Sequence, residues 1–111
     1  MAIARPLEID VHEDDSGALL TLRGELDIAT APRLEEAIDG VLAKSPAKLT
    51  IDLRPLSFLD SSGLRLFIVL CDRAQAESFE LALVRPGMPA LSIFQITRAE
   101  ENLPFVDEPP R

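Results

Sequence analysis

Tryptophan and tyrosine are absent, and cysteine occurs once, as Cys71. A single thiol excludes an internal disulfide framework and a multi-cysteine metal site. Lysine is scarce: Lys44 and Lys48 are the only two, and no basic run exists. Non-specific binding to a phosphate backbone is disfavoured, because its affinity comes from Lys and Arg displacing counterions. The five phenylalanines are scattered without interleaved basic residues, so core packing rather than base stacking is their expected use. No long apolar run is present either. The longest, residues 66–71, falls far short of the roughly 20 residues that span a bilayer. Residues 1–10 meet Pro6 and Glu8 before an apolar stretch forms, so no signal peptide and no membrane insertion are expected. The expected setting is a cytoplasmic domain.

What remains is 111 residues, 47% of them apolar, with 19 acidic and 11 basic side chains for a net charge of −8. That length fits one domain and one core. The acidity favours neutral or basic protein surfaces as partners and argues against direct contact with nucleic acid.

Apolar and polar residues alternate over residues 7–12 and again over 18–23, around a Gly-containing turn at 13–17; this predicts an antiparallel hairpin. Thr30 is placed to cap a helix, with Pro32 in its first turn and Leu34, Ile38, Val41 and Leu42 at helical spacing. Residues 49–53 read as a strand, and 56–59 lead from it into Asp60. A second helix is predicted over 61–76. Its stripe of Leu64, Phe67, Ile68 and Cys71, widened by Leu66, Val69 and Leu70, predicts a well-buried element. A strand at 79–84, a short helix at 88–97 and a short strand at 103–106 follow, the last confined to an edge by Pro104. The expected fold is α/β. A mixed, mostly parallel sheet carries an N-terminal hairpin and packed helices, in the order β-β-α-β-α-β-α-β. The domain is expected over 1–106, with 107–111 as a disordered C-terminal tail.

Two segments carry chemistry. In Asp60-Ser61-Ser62-Gly63, Asp60 is placed to cap the second helix. Ser61 and Ser62 then occupy the first helical positions, near free amides and the positive end of the dipole, where a phosphate on serine is welcome. Gly63 leaves that turn without a side chain, so a partner has room to approach the backbone. The plainer reading is a helix cap and nothing more. In Gly24-Glu25-Leu26-Asp27, the carboxylates are either solvated turn residues or an acidic set at the same sheet edge as Asp60, where ligand sites collect in open α/β sheets.

Taken together, residues 22–27, residues 49–53 and the run 56–64 (Leu-Ser-Phe-Leu-Asp-Ser-Ser-Gly-Leu) resemble the STAS family in its anti-sigma factor antagonist branch. The resemblance extends from about Leu7 to Val106. It implies a switch rather than an enzyme, with no cofactor and no metal. The unphosphorylated form binds an anti-sigma factor that is also an ATP-dependent serine kinase, and this frees a sigma factor. Phosphorylation of Ser61 abolishes binding, and a PP2C-type phosphatase restores it. Asp27 and Asp60 match the acids flanking the phosphoserine, with Glu25 on the same surface. Ser62 matches the second hydroxyl, which is not the acceptor. A monomer or weak dimer is expected.

The alternative is a STAS module of a stress-signalling scaffold or of a lipid-transport ABC complex. A hydrolase lacks support: no Gly-x-Ser-x-Gly elbow is present and the single histidine, His12, sits on the first strand. Asp52 is the polar position of a strand and reads as structural. Arg65-Leu66 follows the Gly-Leu where many family members carry small or apolar residues, and Arg65 is the departure. It has three readings: a phosphate partner, a contact to an acidic kinase residue, or a solvated side chain.

Overall fold

The computed structural model describes residues 6–109; the remainder of the expected domain and tail, residues 1–5 and 110–111, lies outside the described residues. Strands β1 (Glu8–Asp14) and β2 (Gly17–Leu26) form the predicted antiparallel hairpin. Helix α1 (Ala31–Leu42), β3 (Lys48–Asp52), β4 (Leu56–Leu59), α2 (Ser61–Glu77), β5 (Glu80–Val84), α3 (Leu91–Ile96), a 3-10 turn at Ala99–Glu101 and β6 (Phe105–Val106) follow. The six-stranded sheet runs β1-β2-β3-β5-β6, with β4 also paired to β2. Apart from the hairpin, every pairing is parallel.

Strand β2 organises this sheet because it is long enough to hold two neighbours on one side. Its first half pairs with β3 over Ala18–Thr21, and its last three residues pair with β4. Between the halves the register shifts at Gly24/Glu25. Gly24 has φ +95°, and a Cβ there would lie 2.2 Å from the Pro6 carbonyl oxygen, so the bulge requires glycine. The Ser57 hydroxyl donates to the Gly24 carbonyl at 2.9 Å and pins β4 to that point.

Strand β4 is an addition to the expected element order. Its four residues carry too little alternation to show as a strand, and its partner lies some thirty residues earlier in the chain. The final helix is also shorter than expected, beginning only at Leu91 and closing at Ile96 before the 3-10 turn.

Burial alternates with period 2 along β2, whereas the central strands β3 and β5 are buried at four of five positions each. Leu20, Leu22, Leu49, Ile51, Leu53, Leu81 and Leu83 join Leu34 and Ile38 of α1, Phe67 and Leu70 of α2, and Phe94 of α3 in one core. Each large side chain so buried contributes about 1.5–3 kcal/mol. The Phe94 ring meets Phe105 edge-on at 5.0 Å and Phe67 at 6.4 Å, tying α3 to β6 and α2. Cys71 is half-buried and packs on this core. One expectation fails: α2 is not buried across its whole apolar surface. Ile68 and Val69 are 44% and 51% exposed, because the sheet and α3 cover only the side carrying Leu64, Phe67, Leu70 and Ala74. Among the described residues no helix is long and apolar enough to cross a membrane.

Candidate functional site

The parallel strands β2 and β4 end side by side, with Leu26 opposite Leu59. The next residue after β4, Asp60, donates its N–H to the Leu26 carbonyl at 3.2 Å. Each strand therefore delivers one aspartate to the same edge, Asp27 from β2 and Asp60 from β4.

Asp60 is the N-cap of α2 as expected. Its Oδ1 accepts from the N–H groups of Ser62 at 2.8 Å and Gly63 at 3.3 Å, satisfying two amides that the helix leaves unpaired. Ser61 follows as the first helical residue and is exposed; Ser62 is half-buried. Gly63 faces inward rather than toward solvent. A Cβ on it would sit 2.9 Å from both Leu26 Cδ2 and Leu59 Cδ1, so the glycine lets α2 settle on the two strand ends. Close approach of a partner is not what the absent side chain permits here.

Asp27 is held equally firmly. Its Oδ1 accepts from the N–H groups of Ala29 at 2.9 Å and Thr30 at 3.0 Å. The sequence places Thr30 as the cap of α1, and it does occupy that position, yet its side chain caps no amide of the helix. The hydroxyl turns back instead. It accepts from the Asp27 N–H at 2.9 Å and lies 3.0 Å from the Glu25 carbonyl oxygen. Glu25 itself is half-buried on β2, opposite Phe58. Ser61 thus follows Asp60 at the strand end that lies beside the one carrying Asp27, and Glu25 sits two residues before Asp27 on β2. Neither Asp27 nor Asp60 has an ion-pair partner among the described residues.

A groove of about 400 Å³ runs from this edge between α1 and α2. Ile28, Pro32 and Glu35 line one wall, and Ser62, Arg65 and Val69 the other. Ile28 is 77% exposed and Val69 51%, so the groove carries an apolar rim. Arg73 closes its far end, bonding Asp39 of α1 at 2.6 Å and Glu77 at 2.9 Å. The hydrophobicity of Ile28 and Val69 is visible in the sequence. Their exposure is not: helical spacing alone assigns Val69 to a buried face, and Ile28 lies in the loop before α1.

Asp52 and His12 stand apart. Asp52 is buried at the end of β3, and Arg54 grips it with Nε–Oδ1 3.0 Å and Nη2–Oδ2 2.8 Å. Burial pushes its pKa up, but the side-chain and backbone hydrogen bonds and charge of Arg54 outweigh this and hold it below the usual 3.8. His12 lies on β1, 3.4 Å from Asp14 and on the hairpin, and joins nothing at the site. Among the described residues no group of three or more His, Cys, Asp or Glu side chains is placed to hold a metal ion. Ser61 presents an exposed hydroxyl at the first position of α2, directly after the Asp60 carboxylate.

A family model for the STAS domain matches residues 8–108. The anti-sigma-F factor antagonist RsfB of Mycobacterium tuberculosis is 33% identical over 87 residues, covering 78% of this chain and 70% of that protein. The anti-sigma-B factor antagonist of Listeria monocytogenes is 30% identical over 92 residues, covering 82% and 81% of the two chains. The crystal structure of an anti-sigma factor antagonist from Mycobacterium paratuberculosis superposes with a TM-score of 0.82 at 29% identity, over 96% of this chain and 92% of that one.

Proposed function

The chain belongs to the STAS domain family, and on that premise we propose that it is an anti-sigma factor antagonist: a binding protein that docks on an anti-sigma factor and is switched off by phosphorylation at Ser61. The observation that carries the reading is the exposed Ser61 at the start of α2, set between the two strand ends that bring Asp27 and Asp60 together. The names of the relatives support the antagonist role.

The partner is an anti-sigma factor of the serine-kinase type. In its kinase role, the γ-phosphoryl group of ATP passes to Ser61 Oγ, the hydroxyl proton leaves to a base on the kinase, and ADP departs. A PP2C-type phosphatase hydrolyses the ester and resets the switch. The electrostatics support the direction of switching. Phosphate adds about −1.5 to −2 charges at neutral pH to a surface already holding Glu25, Asp27 and Asp60. A partner that fits a bare hydroxyl then meets bulk and like charge. A penalty of about 3–4 kcal/mol weakens binding several hundred-fold.

The test is a titration of the serine-kinase anti-sigma factor with three forms: the unmodified chain, Ser61→Ala, and the chain carrying phosphoserine at 61. The first two are expected to bind alike, and the third several hundred-fold more weakly. Loss of binding in a folded Ser61→Ala protein overturns the switch. So does recovery of the same scaffold or transporter proteins by all three forms used as bait.

A further inference from the structure

Arg65 is the one described lysine or arginine without a partner; each of the others meets a carboxylate or a carbonyl oxygen. In a chain of net charge −8, an unpaired cation among acids is unusual enough to ask what it is for. Its position is specific. Arg65 stands four residues after Ser61 on α2, both are exposed, and i, i+4 side chains on a helix are neighbours with Cβ atoms about 5–6 Å apart. It also lines the mouth of the α1–α2 groove beside Ser62.

We propose that Arg65 is the phosphate partner of Ser61: once phosphorylated, Ser61 captures the Arg65 guanidinium across one helical turn. Two of the amides at the helix terminus are already taken, which raises the value of a side-chain donor. The Ser62 and Gly63 amides, which an anion at that end would ordinarily take, are already bonded to the Asp60 carboxylate. Asp27, Asp60 and Glu25 offer only repulsion. The guanidinium is the unpaired side-chain donor one turn away, and its planar fork suits two phosphate oxygens at once. Capture has a second consequence. It draws the unpaired cation away from the groove mouth, so modification at one residue alters the charge of the neighbouring groove as well as the serine. This inference rests on Ser61 being the phosphoacceptor and adds how the modified state is held.

The test installs phosphoserine at 61 in the full chain during synthesis, in wild type, Arg65→Gln and Arg65→Lys, and follows the phosphate by ³¹P NMR against pH. The three carboxylates raise the second phosphate pKa and Arg65 lowers it. Wild type is expected to titrate lower than Arg65→Gln by about half a pH unit, with Arg65→Lys between them. The ¹H–¹⁵Nε resonance of Arg65 is expected to move when wild type is phosphorylated. Coincident titration curves for wild type and Arg65→Gln overturn the pairing, and so does an Arg65 resonance that does not respond. Because the phosphate is placed without a kinase, a kinase that ignores Ser61 defeats the proposed switch and leaves this pairing separately measurable.

Discussion

Two aspartates end neighbouring stretches of the same sheet and lead different lives. Asp52, at the end of β3, is buried and gripped by an arginine two residues on. Asp60, just past β4, is half-buried and bonded to two backbone amides. An arginine neutralises the first carboxylate and makes it a closed structural unit. Amides satisfy the lone pairs of the second without cancelling its charge, so the field remains and the next side chain, Ser61, stays exposed. Asp27 is of the second kind, held by the Ala29 and Thr30 amides. One half of the strand-end edge is thus internally paired, and the other is left charged beside a free hydroxyl. The lesson is that a carboxylate's partner, more than its position along a strand, separates scaffold from site.

Breaking the closed half is expected to have the largest effect on stability. Arg54→Ala strands a buried carboxylate. A loss of stability is expected, short of the full penalty for a buried pair because the guanidinium is half exposed. Denaturant unfolding measures it, and Ser61 phosphorylation should proceed as in wild type. Asp60→Ala removes a cap and is expected to cost about 1 kcal/mol, a fall of roughly 4–8 °C in Tm for a domain of about this size. An unchanged Tm would mean that the Ser62 and Gly63 amides find another acceptor.

The halves also differ in acid. Since the native pKa of Asp52 lies below 3.8, its ionised form is stabilised by folding. That contribution is whole above 3.8 and lost as pH falls through the native value. Asp52→Asn is expected to flatten the steepest acid part of the stability curve, and an unaltered curve would remove the pair from the account. The smallest stability change is expected from Asp27→Asn, whose amide oxygen still accepts from Ala29 and Thr30; under about 0.5 kcal/mol is expected. The rate of Ser61 phosphorylation should fall more visibly, and equal rates in both proteins would take Asp27 out of the switch.

Much of this was legible in the chain. The hairpin shows as period-2 alternation, and α1 as apolar residues at helical spacing. Asp60 shows as a cap because an acid before a helical run has few other uses. Each of these rests on interactions within a few residues. Strand β4 was hidden because four residues hold little pattern and their pairing is made with β2 across a bulge. Thr30 holds the cap position that the sequence gives it, but its hydroxyl had a choice between the helix ahead and the turn behind, and the folded turn supplied Glu25 and Asp27. Gly63 read as an opening toward solvent, whereas it is a space filled from inside by Leu26 and Leu59.

The sequence by itself determined the element types, the acidic balance, the helix cap and the serine behind it, since local periodicity and capping chemistry act within a turn or two of chain. Only the tertiary structure decided which apolar residues stay exposed, which carboxylates are neutralised, and that Arg65 alone among the described cations is unpaired. Those are matters of what lies opposite in space, and burial and ion pairing depend on neighbours that the linear order does not name.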